Sequence, residues 1–488
     1  MREARQKVVQ LLRNLLVVGA GNYGALAVSL AINAVLTRRL GAEQFGHLAL
    51  LLTASQVLAL LGANWTQTAL VRFGAQEFAA SGTVTDAFWT RIWIVAPWLA
   101  CAGAAMFAAN GYLAAFLMIP AWGILIVVAH FLAAFLLLSV GSIFQARNEM
   151  RRYGLVLFLD KAVMAAALLL FVGTARVGNP LVLLGMYAAS SAGVALWGLT
   201  RLGRSVRPVP FNRVVYRQMA AFSLPLLLSS WVGLFGASWF DIFIIKRYRP
   251  LSEVGMYSLG TVLAGVVQQV TIIFSTLILP QLSVMVGKGE LDKIRVFVER
   301  FLPYWFLATA VLFSAVVIAA EPLVPLIFGR PFLPAASVLA VLMLGACALA
   351  LFNAFAPLMS AFGATWALTG VGLISGAVNV AMDFLLIPGH GIRGAAAATV
   401  ISYGTSAILV LLYAQWRLGH NVFRVTLLMM PVAIVCAGFL LLDTLRFYAL
   451  AVPSGILSVF WLLYHFRLFR GEDAMFVGDL TSAIRRAS

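Results

Sequence analysis

Asp241 is the residue that most invites chemistry, because its surroundings should be hydrocarbon. It lies in FSLPLLLSSWVGLFGASWFDIFIIKRYRPLSEVGMYSLGTVLAGVVQQVTIIFSTLILPQLS, residues 222–283, two apolar helices joined by a short basic turn. Lys246 follows five residues later and faces elsewhere on a helix, so no cation at i+3 or i+4 neutralises the acid locally. Asp241 therefore either pairs with a cation from another helix, for example an arginine of the first helix, as part of a gate, or takes up a proton and couples an ion gradient to a conformational switch. Asp383, in VNVAMDFLLIP, is the second ion-coupling or gate candidate, with Asn379 one turn earlier on the same face. Asn33, Asn64, Gln67, Asn353 and Asn379 would be costly against lipid and are expected to point inward, lining a polar path or bonding helix to helix.

The remaining ionisable residues read more plainly. His130 has no second ligand at i+4 and is expected to be a satisfied core histidine. Asp160 and Lys161 are neighbours, about 100° apart on a helix, so they are not expected to pair, and Asp160 is expected to meet Arg147 or Arg151. Cys101, Cys347 and Cys436 fall inside apolar runs without motif spacing, which argues against a disulfide framework or a zinc site. No nucleophile elbow, phosphate loop or metal-ligand pair is present, so neither an enzyme nor a metal site is expected.

Composition sets the solvent. Of 488 residues 62% are hydrophobic and 10% charged, far above the roughly 45–50% apolar usage of soluble domains. The chain must be solvated by lipid, and its charge of +17 reports membrane topology rather than nucleic-acid binding. A bilayer core of about 30 Å needs about 20 helical residues. Apolar runs of that length predict about fourteen spans in an all-α polytopic protein. The order is an amphipathic lead-in at 1–14, six helices over 15–200, a basic connector at 201–218, six more over 219–418, an extra pair over 419–463 and a tail at 464–488.

The two sets of six echo each other. Moving 36–73 forward by 209 positions lays Arg38 on Arg247, Gly46 on Gly255, Leu50 on Leu259 and Leu70 on Leu279. Such internal similarity is how many transporters are built. With the N-terminus in the cytoplasm, 24 Lys and Arg fall inside, 9 outside and Lys161 within a helix, out of 34. That bias predicts both termini in the cytoplasm. Arg72 and Arg91 are counted inside; Arg38, Arg39, Lys246 and Arg247 fall outside, where positive charge is disfavoured.

The ordered pieces RRLGAEQFG, ALVRFGA, FSLP with Asp241, EVGMYSL, ILPQLS, PLVPLIFGRPF and LIPGHGIRGAAAAT together resemble the polysaccharide-transport flippases. These form part of the multidrug/oligosaccharidyl-lipid/polysaccharide exporter superfamily. The resemblance implies two six-helix lobes around a central cavity and alternating access. It also implies a polyprenyl-diphosphate-linked oligosaccharide as substrate, moved from the inner to the outer leaflet of the plasma membrane. For such a substrate the diphosphate is the hardest part to move, and cations suit it. Arg38, Arg39, Arg72, Lys246 and Arg247 are the diphosphate-binding candidates, with snorkelling to lipid phosphates, or pairing with Glu43 and Glu253, as the plainer account. No organic cofactor is expected, and coupling to protons or sodium stays open. The expected partners are the lipid-linked glycan, membrane lipid and the polysaccharide polymerase or export proteins, with the chain itself a monomer. A multidrug exporter or cell-wall precursor flippase of similar fold, or a membrane glycan polymerase or ligase, are the competing readings.

Overall fold

The structure is a computed structural model that describes residues 2–171, 178–235, 238–419 and 421–466, without the side chains of 2–18, 20, 204, 205, 228, 229 and 232–239. Arg176, the tail's Arg467, Arg470, Arg485 and Arg486, and the side chains of the basic lead-in lie outside the described residues.

Among the described residues all regular structure is helical. The helices are α1 (Arg2–Gly62), α2 (Gln67–Ser81), α3 (Thr85–Ala108), α4 (Asn110–Leu117), α5 (Gly123–Ala146), α6 (Met150–Phe171), α7 (Pro180–Leu202), α8 (Arg213–Phe235) and α9 (Ser238–Tyr248). There follow α10 (Leu251–Gly287), α11 (Leu291–Val296), α12 (Leu302–Phe328), α13 (Leu333–Ala361), α14 (Thr365–Leu418), α15 (Met430–Leu441), α16 (Thr444–Arg446) and α17 (Val452–His465). Eleven helical stretches among the described residues are long and apolar enough to cross a membrane. In a bilayer only structures that satisfy their own backbone hydrogen bonds can span, which is why an apolar chain of this kind resolves into helices.

Two of the long helices turn at a glycine. Gly41 (φ 69°, ψ 178°) interrupts α1 and Gly391 (φ 56°, ψ −136°) interrupts α14. Both have the positive φ that favours glycine. Beyond Gly391 the chain folds back on itself, because Ser402 Oγ donates to the Ser375 carbonyl at 2.8 Å, 27 residues away.

The chain divides into two compact units, Met1–Leu234 and Phe235–Arg486. In the first, Leu70, Val140, Ile143 and Phe144 anchor an apolar core at 0% exposure. Helices approach closely there: a Cβ on Gly21 would lie 2.8 Å from the Gly154 backbone, so α1 and α6 touch. In the second unit α13 is the central helix, with 78% of its most apolar stretch buried, and Phe306, Phe313, Phe332 and Phe355 are enclosed around it. Pro280, Pro322, Pro325 and Pro357 sit inside α10, α12 and α13, where each leaves a carbonyl without its helical donor.

The repeat survives in burial for most of its length. Gly46 and Gly255 are both buried, Leu50 and Leu259 are both at 0%, and Arg38 and Arg247 are both exposed. It fails at its end, where Leu70 is at 0% and Leu279 at 37%.

Two expectations are corrected. Asp160 and Lys161 do pair, Nζ to Oδ2 at 2.8 Å, because a four-carbon stem can curl across the arc that separates neighbours on a helix. Asp160 Oδ1 accepts a second bond from Ser191 Oγ at 2.7 Å, while Arg147 pairs with Glu149 at 2.8 Å and Arg151 is exposed. Arg91, counted among the cytoplasmic charges, is fully buried within α3.

The fold-back of α14 gives a direct test. A Cβ on Gly394 would lie 2.5 Å from the Leu386 carbonyl oxygen, backbone that cannot move aside, whereas one on Gly389 meets nothing within 4 Å. Gly394→Ala is expected to destabilise the protein by about 2 kcal/mol, as overpacking does. Gly389→Ala should stay close to wild type. Thermal unfolding of the two purified variants, followed by size exclusion, distinguishes them.

Candidate functional site: a buried carboxylate pair

Asp241 stands in the first turn of α9 and is completely enclosed. Four side chains meet it. The Tyr257 hydroxyl, from α10, donates to Oδ2. Thr399 Oγ1, from the second half of α14, donates to the same oxygen at 3.1 Å. Asn379 Nδ2, from the first half of α14, donates to Oδ1 at 3.0 Å and also to Asp383 Oδ2 at 3.0 Å. Asp383, the fourth, is itself in direct interaction with Asp241. Tyr257, Asn379, Asp383 and Thr399 are each at 2% exposure or below.

The local fold explains the convergence. Asn379 and Asp383 are one helical turn apart and so share a face. The turn at Gly391 brings Thr399 back alongside them. Arg249 fixes that turn from outside: its Nη2 donates to the Pro388 carbonyl at 2.8 Å and its Nε to that of Ile387 at 3.4 Å, satisfying carbonyls at the end of the first half-helix.

The donor count does not close. Asn379 supplies two N–H bonds and Tyr257 one hydroxyl, all to the two carboxyls, while the single Thr399 proton is shared between Asp241 Oδ2 at 3.1 Å and the Ala395 carbonyl at 3.2 Å. Asn379 Oδ1 and Asp383 Oδ1 are left as buried acceptors without a donor. Among the described residues of the second unit no Lys or Arg forms an ion pair with either acid, and the donors that meet Asp241 are neutral. The cluster holds two acids, one amide oxygen and two hydroxyls, an all-oxygen set whose chemistry suits a proton or a hard cation. Tyr257 and Thr399 had not been singled out from sequence. The signal was present: each is a hydroxyl in an otherwise small or apolar stretch, EVGMYSL and GIRGAAAAT.

The basic candidates are distributed along the helix ends. Arg38, Arg39, Arg72 and Arg247 are exposed and Lys246 is half-buried. The Arg72 guanidinium lies 4.7 Å from the ring centre of Phe222 and 5.6 Å from that of Phe73, and that of Arg247 lies 5.8 Å from Tyr248. Neither Lys246 nor Arg247 hydrogen-bonds to the Asp241 cluster. Among the polar candidates, Asn33 Nδ2 donates to the Ser29 carbonyl of its own helix at 2.9 Å, and Asn353 Nδ2 joins α13 to α10 through Thr271 Oγ1 at 2.9 Å. Asn64 opens the 3-10 turn Asn64–Thr66 after α1, and Gln67 is the first residue of α2. His130 Nδ1 meets Ser55 Oγ at 2.7 Å, the contact of a satisfied core histidine. A cavity of about 450 Å³ between α1, α3, α5 and α8 is lined mainly by apolar groups including Leu58, Trp98, Phe131 and Trp231, with no charged side chain to meet a phosphate.

Against known proteins, the chain is 25% identical over 217 residues to the probable low-salt glycan biosynthesis flippase Agl15 of Haloferax volcanii, 44% of each chain. It is 31% identical over 157 residues to the probable lipid II flippase MurJ of Rhizobium meliloti, 31% of this chain and 29% of that one. The matched regions thus span less than half the length of either relative. Among solved structures, the lipid II flippase MurJ in an inward closed conformation superposes with a TM-score of 0.70 at 11% identity, over 93% of this chain and 100% of that one. An inward-facing multidrug resistance MATE family transporter of the MOP superfamily superposes with a TM-score of 0.63 at 13% identity, over 81% and 94%. The fold is therefore that of the MurJ and MATE transporters. The family described as polysaccharide biosynthesis protein matches residues 11–286, more than half of the sequence, and the chain belongs to it.

Proposed function

We propose that the protein is a flippase for polyprenyl-diphosphate-linked oligosaccharide, carrying it from the inner to the outer leaflet of the plasma membrane by alternating access for surface polysaccharide assembly. The observation that carries this reading is the family match over 11–286, on a chain of which 93% superposes on a lipid II flippase. The glycan flippase Agl15 among its relatives supports the same substrate class. The chemistry to be managed is electrostatic. A bare diphosphate in hydrocarbon is prohibitive, and Arg38, Arg39, Arg72, Lys246 and Arg247 are the cations available at helix ends to compensate it.

The carboxylate pair supplies the coupling. A buried acceptor without a donor costs about 1–3 kcal/mol, so Asn379 Oδ1 and Asp383 Oδ1 together favour uptake of a positive charge into the cluster. A proton on Asp383 gives the missing donor, and sodium held by the same oxygens satisfies them directly. Both oxygens lie on the first half of α14 beside Asp241 of α9, so loading and unloading bears on the contact between those two helices within the second unit.

The relative MurJ from Rhizobium meliloti favours a second reading, a cell-wall precursor flippase. Lipid analysis of a deletion strain separates the two. Accumulation of a lipid-linked surface oligosaccharide on the inner leaflet supports the proposal, whereas accumulation of the peptidoglycan precursor supports the alternative. For the coupling, Asp383→Asn keeps the shape of a protonated acid but cannot release a proton or balance a cation. It is expected to lower translocation in vesicles by about tenfold, the usual scale of a coupling free energy, and to remove dependence on an imposed H⁺ or Na⁺ gradient. Full translocation with the gradient dependence intact would refute that role.

A further inference from the structure

The first unit contains a charge that its fold does not require. Arg91 is at 0% exposure in α3, and among the described residues no carboxylate contacts it. Its partners are neutral: Nε donates to Thr66 Oγ1 at 2.9 Å, Nη1 to Ser139 Oγ at 2.9 Å and Nη2 to the Ala63 carbonyl at 3.5 Å. The guanidinium also lies 4.7 Å from the ring centre of Phe135. The site is specific for a donor. Thr66 Oγ1 spends its proton on the Ala63 carbonyl at 2.7 Å and Ser139 Oγ on that of Phe135 at 2.7 Å, so both hydroxyls can only accept from Arg91. Replacing buried ions by apolar side chains of similar volume is often neutral or stabilising, so stability alone does not call for an arginine here.

What the guanidinium holds is a break. α1 ends at Gly62, a 3-10 turn runs over Asn64–Thr66, and α2 starts at Gln67. Arg91 reaches both sides of that turn, at Ala63 and Thr66, and ties it to α5 through Ser139. Its charge also lies at the C-terminal, negative end of α1. The other end of α2 is fastened too. Glu77 Oε1 accepts from Thr83 Oγ1 at 3.1 Å, Thr85 Oγ1 at 3.2 Å and the Asp86 N–H at 3.1 Å, and Oε2 accepts from the Ala87 N–H at 2.9 Å. α2 is thus a short arm fixed at both ends, and it carries Arg72 six residues beyond Thr66, about 9 Å along the helix axis.

We propose that Arg91 is a positioning residue for lipid-diphosphate recognition: by fixing the angle between α1 and α2 it sets where the Arg72 guanidinium stands. The inference rests on the flippase reading above and goes beyond it in assigning a role to a residue that no substrate touches.

The test measures diphosphate preference, the ratio of affinities for a polyprenyl diphosphate and the uncharged polyprenol of equal length, with the full chain in lipid nanodiscs. Wild type is expected to prefer the diphosphate. Arg72→Ala should reduce that preference by about tenfold, Arg91→Met by a similar factor, and the double variant no further than Arg72→Ala alone, as coupled residues behave. Arg91→Lys should restore part of it. Thr66→Val, which removes one acceptor and keeps the volume, should lower it by about threefold and guards against loss of fold in the methionine variant. A merely structural arginine would lower both affinities and leave the ratio unchanged, which overturns the proposal, as does a double variant whose losses multiply. If wild type prefers the diphosphate and Arg91→Met does so equally, only the positioning role falls. If wild type shows no preference, the flippase reading falls with it.

Discussion

A polar side chain within a bilayer has no water to turn to, so every donor and acceptor there must find its partner in the protein or in something the protein binds. That constraint organises both units. In the second, one amide, Asn379, holds two carboxyls at once, each at 3.0 Å, and so joins α14 to α9. In the first, two hydroxyls whose own protons are already committed receive a guanidinium. Neither arrangement tolerates a small displacement, because a hydrogen bond lengthened in hydrocarbon cannot be replaced by one to solvent. Packing then follows the polar contacts, as at Gly394, where the returning half of α14 presses on the Leu386 backbone.

The same constraint decides what was legible in the sequence. An apolar chain of 488 residues has to become spanning helices, and Leu50 with Leu259 and Gly46 with Gly255 are buried alike, whereas Leu70 and Leu279 are not. Asp241, Asn379 and Asp383 stand out in sequence because they interrupt hydrocarbon. Their partners do not stand out. Tyr257 and Thr399 are residue types that spans accept freely, and only the turn at Gly391 reveals that Thr399 returns to a point reached by Asn379, 20 positions earlier. Asp160 and Lys161 were misjudged because the angular rule for neighbours describes Cβ directions, and a lysine is long enough to defeat it. Arg91 was misjudged because it lies six residues past the start of α3, where counting charges near span ends cannot separate a loop arginine from a buried one.

Three intramembrane charge clusters are thus balanced in three ways, and the differences bear on function. Asp160 and Lys161 cancel each other and have their remaining oxygen covered by Ser191, so nothing further is demanded. Arg91 is met by fixed acceptors and the end of a helix, a closed arrangement that resists change. The Asp241 cluster alone among them is short of donors, since Asn379 Oδ1 and Asp383 Oδ1 remain unmatched. A cluster that is complete can only hold its helices in place. On the coupling role proposed above, one that lacks a single positive charge would have two states separated by the binding of that charge, and this cluster touches α9, α10 and both halves of α14. The site where α9, α10 and α14 meet is therefore the candidate for the bistable element that the proposed flippase function requires.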